Sequence, residues 1–270
     1  MTALLEVEGL GVSTDDRRLV SDVSFTVPEG RRLGVIGESG SGKSVTALAI
    51  LGLLGHPLRP EGSVRLRGRD GAVVDVVSAS QRRLDAVRGT TVGAVFQEPL
   101  ASLDPLMRVG RQLAWPLAKH RGLRGEALRR GILDALADVQ LPNPERIADA
   151  YIHEISGGQR QRVAIALALA SQPRLLIADE PTTALDVTVQ AGVLQLLQSA
   201  VSERGMSLIL ISHDLPVVSG IADEVLVMRD GSAVEHGETR RLLTAPEHEY
   251  TRTLVAASRA LDDLLPGGAR

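Results

Sequence analysis

The octapeptide Gly37-Glu38-Ser39-Gly40-Ser41-Gly42-Lys43-Ser44 constrains what this chain can fold into more than any other stretch of its 270 residues. It has the spacing G-x-x-x-x-G-K-[ST], with a buried-strand pattern before it at residues 32–37 and an apolar helix pattern after it from residue 43 to about residue 54. Strand, glycine-rich turn and helix in that order make a cradle for phosphate. Main-chain N–H groups must converge on anionic oxygens, which needs residues without Cβ that can take positive φ. The helix adds its unpaired N-terminal N–H groups and the positive end of its dipole. Lys43 is then placed to neutralise the β- and γ-phosphates of a nucleotide and the Ser44 hydroxyl to ligate Mg2+. Val45, next in the turn, is counted with the nucleotide-binding residues. Lysine occurs only at Lys43 and Lys119. A chain that otherwise uses arginine keeps lysine where a compact charge is wanted.

Around this loop the pattern alternates. Residues 4–12 and 20–27 read as strands closed by Pro28-Glu29-Gly30, residues 63–67 as an exposed strand, and residues 92–96 as a strand ended by Gln97-Glu98-Pro99. From residue 107 to about 170 the period is helical, with Leu128, Ile132, Leu133, Leu136 and Val139 on one helix face before Pro142 and Pro144 break it. Strands at 175–178, 208–211, 224–228 and 232–235 then alternate with helices at 187–203 and 215–221. Continuous apolar strands separated by helices imply an α/β fold around a mixed, mostly parallel sheet. An N-terminal antiparallel β-subdomain precedes it, and an inserted α-helical subdomain at about 98–172 interrupts it. The expected organisation is one domain over residues 1–265 with a short tail at 266–270.

Two more clusters carry chemistry. Residues 175–178 are an apolar strand ending in Asp179-Glu180. In a phosphate-loop fold the strand beside the loop delivers an acid to the Mg2+ shell, the role expected of Asp179. Successive strand side chains diverge, so Glu180 can face a water in line with the γ-phosphate as general base. The plain alternative is a pair of acids capping a strand before Pro181. His213 follows the next strand and is expected at the γ-phosphate edge, where it could orient the water or stabilise charge; by itself a strand-end histidine is more often structural. Ser156-Gly157-Gly158-Gln159 opens a helix to about residue 170. Read plainly, Ser156 is its N-cap; read functionally, this is a second anion-binding helix start. Two such starts and one nucleotide site are reconciled if the second closes over ATP held by a partner chain.

In order along the chain, Gly37 to Ser44, Gln97, Ser156-Gly157-Gly158-Gln159, Asp179-Glu180, Ala184-Leu185-Asp186 and His213 resemble the nucleotide-binding domain of ABC transporters, a P-loop NTPase cassette. The resemblance covers nearly the whole chain. It implies that Ser156, Gly157, Gly158 and Gln159 form the signature that contacts ATP across a head-to-tail dimer. It also implies that Gln97 senses Mg2+ and couples to membrane subunits, that Asp186 lies in the loop linking the two sites, and that His213 is the switch histidine. The catalytic set is then Glu180, His213 and Lys43, and the metal set Ser44, Gln97 and Asp179. Residues 44–48, QEPLASLDP from Gln97, residues 151–159, PTTALDVTVQ from Pro181, and His248-Glu249-Tyr250-Thr251-Arg252 are most similar to ATP-binding subunits of oligopeptide, dipeptide and nickel importers. The implied partners are membrane-spanning permeases, a second ATP-binding subunit and, indirectly, an extracytoplasmic substrate-binding protein. The implied location is the cytoplasmic face of the membrane.

Three departures from that pattern bear on the expectations. No aromatic precedes Phe25, where the family stacks adenine near Ser13-Thr14, so Val20 or the stems of Arg17 and Arg18 are expected to cover the base, with weaker base selectivity. The cysteine-bearing C-terminal extension of peptide-importer subunits is not expected, since cysteine is absent, and disulfides and thiolate or iron–sulfur centres are excluded with it. Ile155 stands where leucine is commoner. Trp115, Leu113 and Leu117 lie where the resemblance places a membrane subunit, although ordinary helix packing explains them equally.

A formal charge of −3 gives no case for nucleic-acid binding. No secretion signal is read at the start, and the longest apolar run, about residues 45–54, is too short to span a bilayer. The competing classes are a soluble ABC ATPase not coupled to transport, which typically has two cassettes or a coiled-coil insertion, and a regulatory module that binds nucleotide without turnover. Glu180 and Ser156–Gln159 argue against the second.

Overall fold

The computed structural model describes residues 2–183 and 186–264. Ala184 and Leu185 of the quoted Ala184-Leu185-Asp186, and the tail at 266–270, lie outside the described residues. The elements run β1 (Ala3–Ser13), β2 (Arg18–Pro28), β3 (Arg32–Ile36), α1 (Lys43–Leu51), β4 (Arg59–Arg67), β5 (Val73–Asp75), α2 (Gln81–Val87) and β6 (Val92–Val95). Then come α3 (Val109–Arg121), α4 (Gly125–Asp138), α5 (Pro144–Asp149), α6 (Gly157–Leu169), β7 (Leu175–Asp179) and α7 (Val187–Glu203). The last are β8 (Ser207–Ser212), α8 (Leu215–Ser219), β9 (Glu224–Arg229), β10 (Ser232–Glu238), α9 (Thr239–Thr244) and α10 (Glu249–Leu264). The chain divides into two compact units: Met1–Arg67 with Val73–Ala79 and Leu208–Arg270, and Gly68–Ala72 with Ser80–Ser207.

The first unit contains an antiparallel sheet of order β2-β1-β4-β5. Leu5, Leu10, Val12, Val20, Val23, Val64 and Leu66 are fully buried on it. The expectation of an exposed strand at 63–67 needs correcting here. β4 is an interior strand, and over residues 63–67 its Val64 and Leu66 are buried while only the face with Arg65 and Arg67 reaches water, because side chains alternate across a strand. The same unit holds the parallel run β9-β3-β8, with β10 antiparallel on β9. Helix α1 stops at Leu51, short of residue 54, because Gly52 takes a left-handed φ of 63° and returns its N–H to the Leu48 and Ala49 carbonyls. Elements β5, α2, α9 and α10 were not foreseen.

The second unit pairs β6 and β7 in parallel, Val92 with Leu175 through Val95 with Ala178. The long helical stretch resolves into α3 to α6, packed through Leu113, Leu117, Leu136, Ile152, Val163 and Ile165, all essentially without exposure.

Candidate functional site

In the first unit, Ile36 at the end of β3 pairs with Ser212 at the end of β8. The loop from Gly37 and the segment from His213 therefore leave the sheet at the same carboxyl edge, where open α/β sheets bind ligands. The loop requires its glycines. Gly37 has φ 153°, and a Cβ there would fall on the Met228 carbonyl oxygen. Gly40 and Gly42 have φ of 83° and 96°. Gly42 is also the N-cap of α1 and supplies no side-chain cap. Lys43 is 5% exposed, and its ammonium donates to the carbonyls of Gly37 and Glu38, both at 2.8 Å. A loop that wraps an ammonium in its own carbonyls puts that charge where a phosphate would arrive. Glu38, Ser39 and Gly40 are exposed, Ser41 is buried, Ser44 is exposed and Val45 is half-buried.

Sequence reasoning assigned no role to Tyr250. Its hydroxyl accepts the Glu38 N–H at 3.1 Å, and burial pushes its phenol pKa up. His248 to Arg252 stood out as a string, but no local pattern joins it to a loop more than two hundred residues away. His213 is exposed at the end of β8, before Asp214, which caps α8 by accepting the Val217 N–H.

In the second unit, Ala178 is opposite Val95, so Asp179 and Gln97 emerge from the same edge of the β6–β7 pair. Asp179 is a buried carboxylate at 8% exposure. Glu180 is half-buried and has φ 45°, a left-handed conformation that costs a glutamate roughly 1–3 kcal/mol. Thr183, also unforeseen, donates its hydroxyl to Glu180 Oε2 at 2.9 Å and fixes the carboxylate's direction. Such strain persists where function requires a side chain aimed against its backbone preference. Within this unit the buried Asp179 carboxylate and the Gln97 amide are oxygen donors of the kind Mg2+ takes, an ion that keeps waters and substrate phosphates among its ligands rather than needing a protein cage. Accordingly, the described residues contain no cluster of three His, Cys, Asp or Glu that could hold a metal.

Ser156 caps α6 as expected. Its Oγ accepts the Gln159 N–H at 3.3 Å and Gln159 Oε1 accepts the Ser156 N–H at 3.0 Å. Gly157 has open space where a Cβ would stand, while a Cβ at Gly158 would press on Val189 in the first turn of α7. Asp186 caps that turn through the Val189 N–H at 3.0 Å.

One expectation about the nucleobase is overturned. Val20 has no exposed surface and cannot present a face to a ring. It is spent on the core of the antiparallel sheet. The Arg18 guanidinium is tied to Glu61 and the Val20 carbonyl, which leaves the stems of Arg17 and Arg18. Leu113 and Leu117 prove to be core, whereas Trp115 is 62% exposed under the Lys119 ammonium, 4.4 Å from the ring centroid.

Residues 20–183 match the family model described as ABC transporter. A protein of Brucella melitensis named as a peptide import ATP-binding protein is 46% identical over 96% of this chain and 78% of its own length. The glutathione import ATP-binding protein of Pectobacterium atrosepticum is 44% identical over 91% of this chain and 40% of its own length. Among solved structures, the ATP-binding cassette MJ0796, a dimer in a post-hydrolysis state bound to ADP and Pi, aligns with TM-score 0.76 and 29% identity, covering 87% of this chain and 99% of that one. CbiO1 of Clostridium perfringens, part of the ABC transporter complex cbiONQ, aligns with TM-score 0.74 and 26% identity, covering 97% of this chain and 98% of that one.

Proposed function

The chain belongs to the ABC transporter family and is an ABC ATPase, and from that premise we propose that it is the ATP-binding subunit of a membrane importer for peptides. The names of its relatives support a peptide-like cargo; the nickel chelates suggested by resemblance are named by none of those quoted. The single observation that carries the reading is the loop from Gly37 to Ser44, which closes around the Lys43 ammonium with backbone that only glycine adopts without strain.

In this reading the loop from Gly37 to Val45 binds the triphosphate through its main-chain amides, other than the Glu38 N–H held by Tyr250 and the Ser41 N–H held by the Glu38 carbonyl, and through the Lys43 ammonium. Asp179, Ser44 and Gln97 would hold Mg2+, which would supply positive charge to offset that of the phosphates. Glu180, aimed by its strained backbone and by Thr183, takes a proton from a water as that water's oxygen bonds to the γ-phosphorus. The bond from phosphorus to the β–γ bridging oxygen breaks, and ADP carries the charge away. His213 steadies the water or the developing charge. Ser156 to Gln159 closes over ATP bound by a second ATP-binding subunit. No helix among the described residues is long and apolar enough to cross a membrane. Crossing then falls to permease subunits, with this chain peripheral on the cytoplasmic face and an extracytoplasmic binding protein delivering cargo.

The test is ATPase activity of wild type against Glu180→Gln. A general base contributes about 10²–10⁴-fold, so the variant should lose roughly that much turnover while still binding ATP. Equal rates would defeat the assignment.

A further inference from the structure

The Glu38 peptide is held from both sides. Its carbonyl accepts the Lys43 ammonium at 2.8 Å and the Ser41 N–H at 3.2 Å. Its N–H donates to the Tyr250 hydroxyl at 3.1 Å. Tyr250 is 6% exposed, with the Arg229 guanidinium over its ring at 5.0 Å from the centroid. The start of α10 that carries it is fastened to β10. The Glu235 carboxylate accepts the N–H groups of Glu247 at 2.9 Å and His248 at 3.0 Å. His248 Nδ1 accepts the Tyr250 N–H at 3.2 Å, and the next inward residues, Thr251 and Val255, are buried.

We propose that Tyr250 is a positioning residue for the phosphate loop, its hydroxyl setting the loop's grip on nucleotide. The inference rests on the phosphate-loop reading of Gly37 to Ser44. When Lys43 turns its charge to a triphosphate, the Glu38 carbonyl gives up its strongest partner. The Tyr250 hydroxyl then joins the Ser41 N–H in keeping residue 38, and with it the curve from Gly37 to Gly40, in place. The aromatic ring packs α10 against its own unit; the hydroxyl does the positioning. Removing the hydroxyl alone should therefore weaken nucleotide binding while sparing the hydrolytic step, which uses other groups.

The experiment is Tyr250→Phe, read by binding of fluorescent N-methylanthraniloyl ATP and by ATPase kinetics. One hydrogen bond lost at a preorganised loop is expected to raise Kd and KM by about three- to tenfold, with kcat within about twofold of wild type. Val255→Ala is the control: it loosens α10 without touching the hydroxyl and should lower Tm while leaving Kd unchanged. If Tyr250→Phe binds as tightly as wild type, or if Val255→Ala weakens binding as much, the positioning role is overturned. If wild type itself does not bind the nucleotide, the phosphate-loop reading falls and this inference with it, a result distinct from the other two. Independently of any variant's folding, NMR of 15N-labelled wild type should show the Glu38 amide protected from hydrogen exchange while the Ser39 and Gly40 amides exchange freely. Equal exchange at all three would also overturn the proposal.

Discussion

Helices α1 and α6 both start beside glycines, and they begin in opposite ways. Helix α1 starts from Gly42, left-handed, an N-cap with no side chain to offer, behind a loop whose glycines sit at φ of 153° and 83°. Helix α6 starts from Ser156, extended, with Ser156 and Gln159 satisfying each other's N–H groups and with Gly157 facing open space. The first start is strained and turns the positive end of its helix dipole toward the loop, where an anion is stabilised. The second is complete within itself and exposed at its tip. Glycine thus serves two ends. At Gly37 it permits a backbone no other residue tolerates, and at Gly157 it keeps a surface small enough for something else to approach.

Alanine substitutions are the sharpest way to break that contrast. Gly37→Ala meets both the positive φ and the Met228 carbonyl, so a stability loss of at least about 1–3 kcal/mol is expected, seen as a lowered urea midpoint together with lost ATP binding. A neutral Gly37→Ala would show that the loop is not built on strain. Ser156→Ala removes a cap and should cost about 1 kcal/mol in the same denaturation experiment; an unchanged midpoint would mean that the capping box contributes nothing. Gly157→Ala meets nothing and should shift stability by no more than about 0.5 kcal/mol. If the tip closes on ATP bound by another subunit, that same variant should still lose ATPase activity, and full activity would make α6 an ordinary capped helix.

A smaller effect separates the strand behind the first loop. Burial alone would raise the Asp223 pKa, but hydrogen bonds from the Arg32 guanidinium and N–H, at 2.9 Å each, outweigh it and hold the carboxyl below its ordinary value. A depressed carboxylate pKa contributes stability above its unfolded value, and that stability is lost as pH falls through the folded one. The Tm of wild type should therefore exceed that of Asp223→Asn at neutral pH, with the gap closing in strong acid. A gap independent of pH would remove Asp223 as an anchor of β3.

Much of this was legible because the chemistry is local. The phosphate loop announces itself through glycine spacing and a rare lysine, and the helix expected at 187–203 is α7, Val187–Glu203. The capping box of α6 is written in four consecutive residues. What stayed hidden depends on neighbours distant in the chain. The inner face of β4 looked exposed because its arginines are on the other face, and Val20 looked available because nothing in sequence says that a sheet covers it. Tyr250 could not be read, since its partner at Glu38 lies at the other end of the chain. Glu180's left-handed backbone likewise leaves no trace in residue type, for glutamate is a poor choice there unless its direction is needed.

Calorimetric titration of the purified chain with Mg2+ and a non-hydrolysable ATP analogue, beside Lys43→Ala, tests the account at its base. Wild type should bind one nucleotide per chain. The alanine variant, having lost hydrogen bonds from a charged donor worth about 1.5–3 kcal/mol, should bind at least roughly tenfold more weakly with its fold intact. Equal affinity in the two proteins would mean that the glycine loop around Lys43 is not where the triphosphate is held.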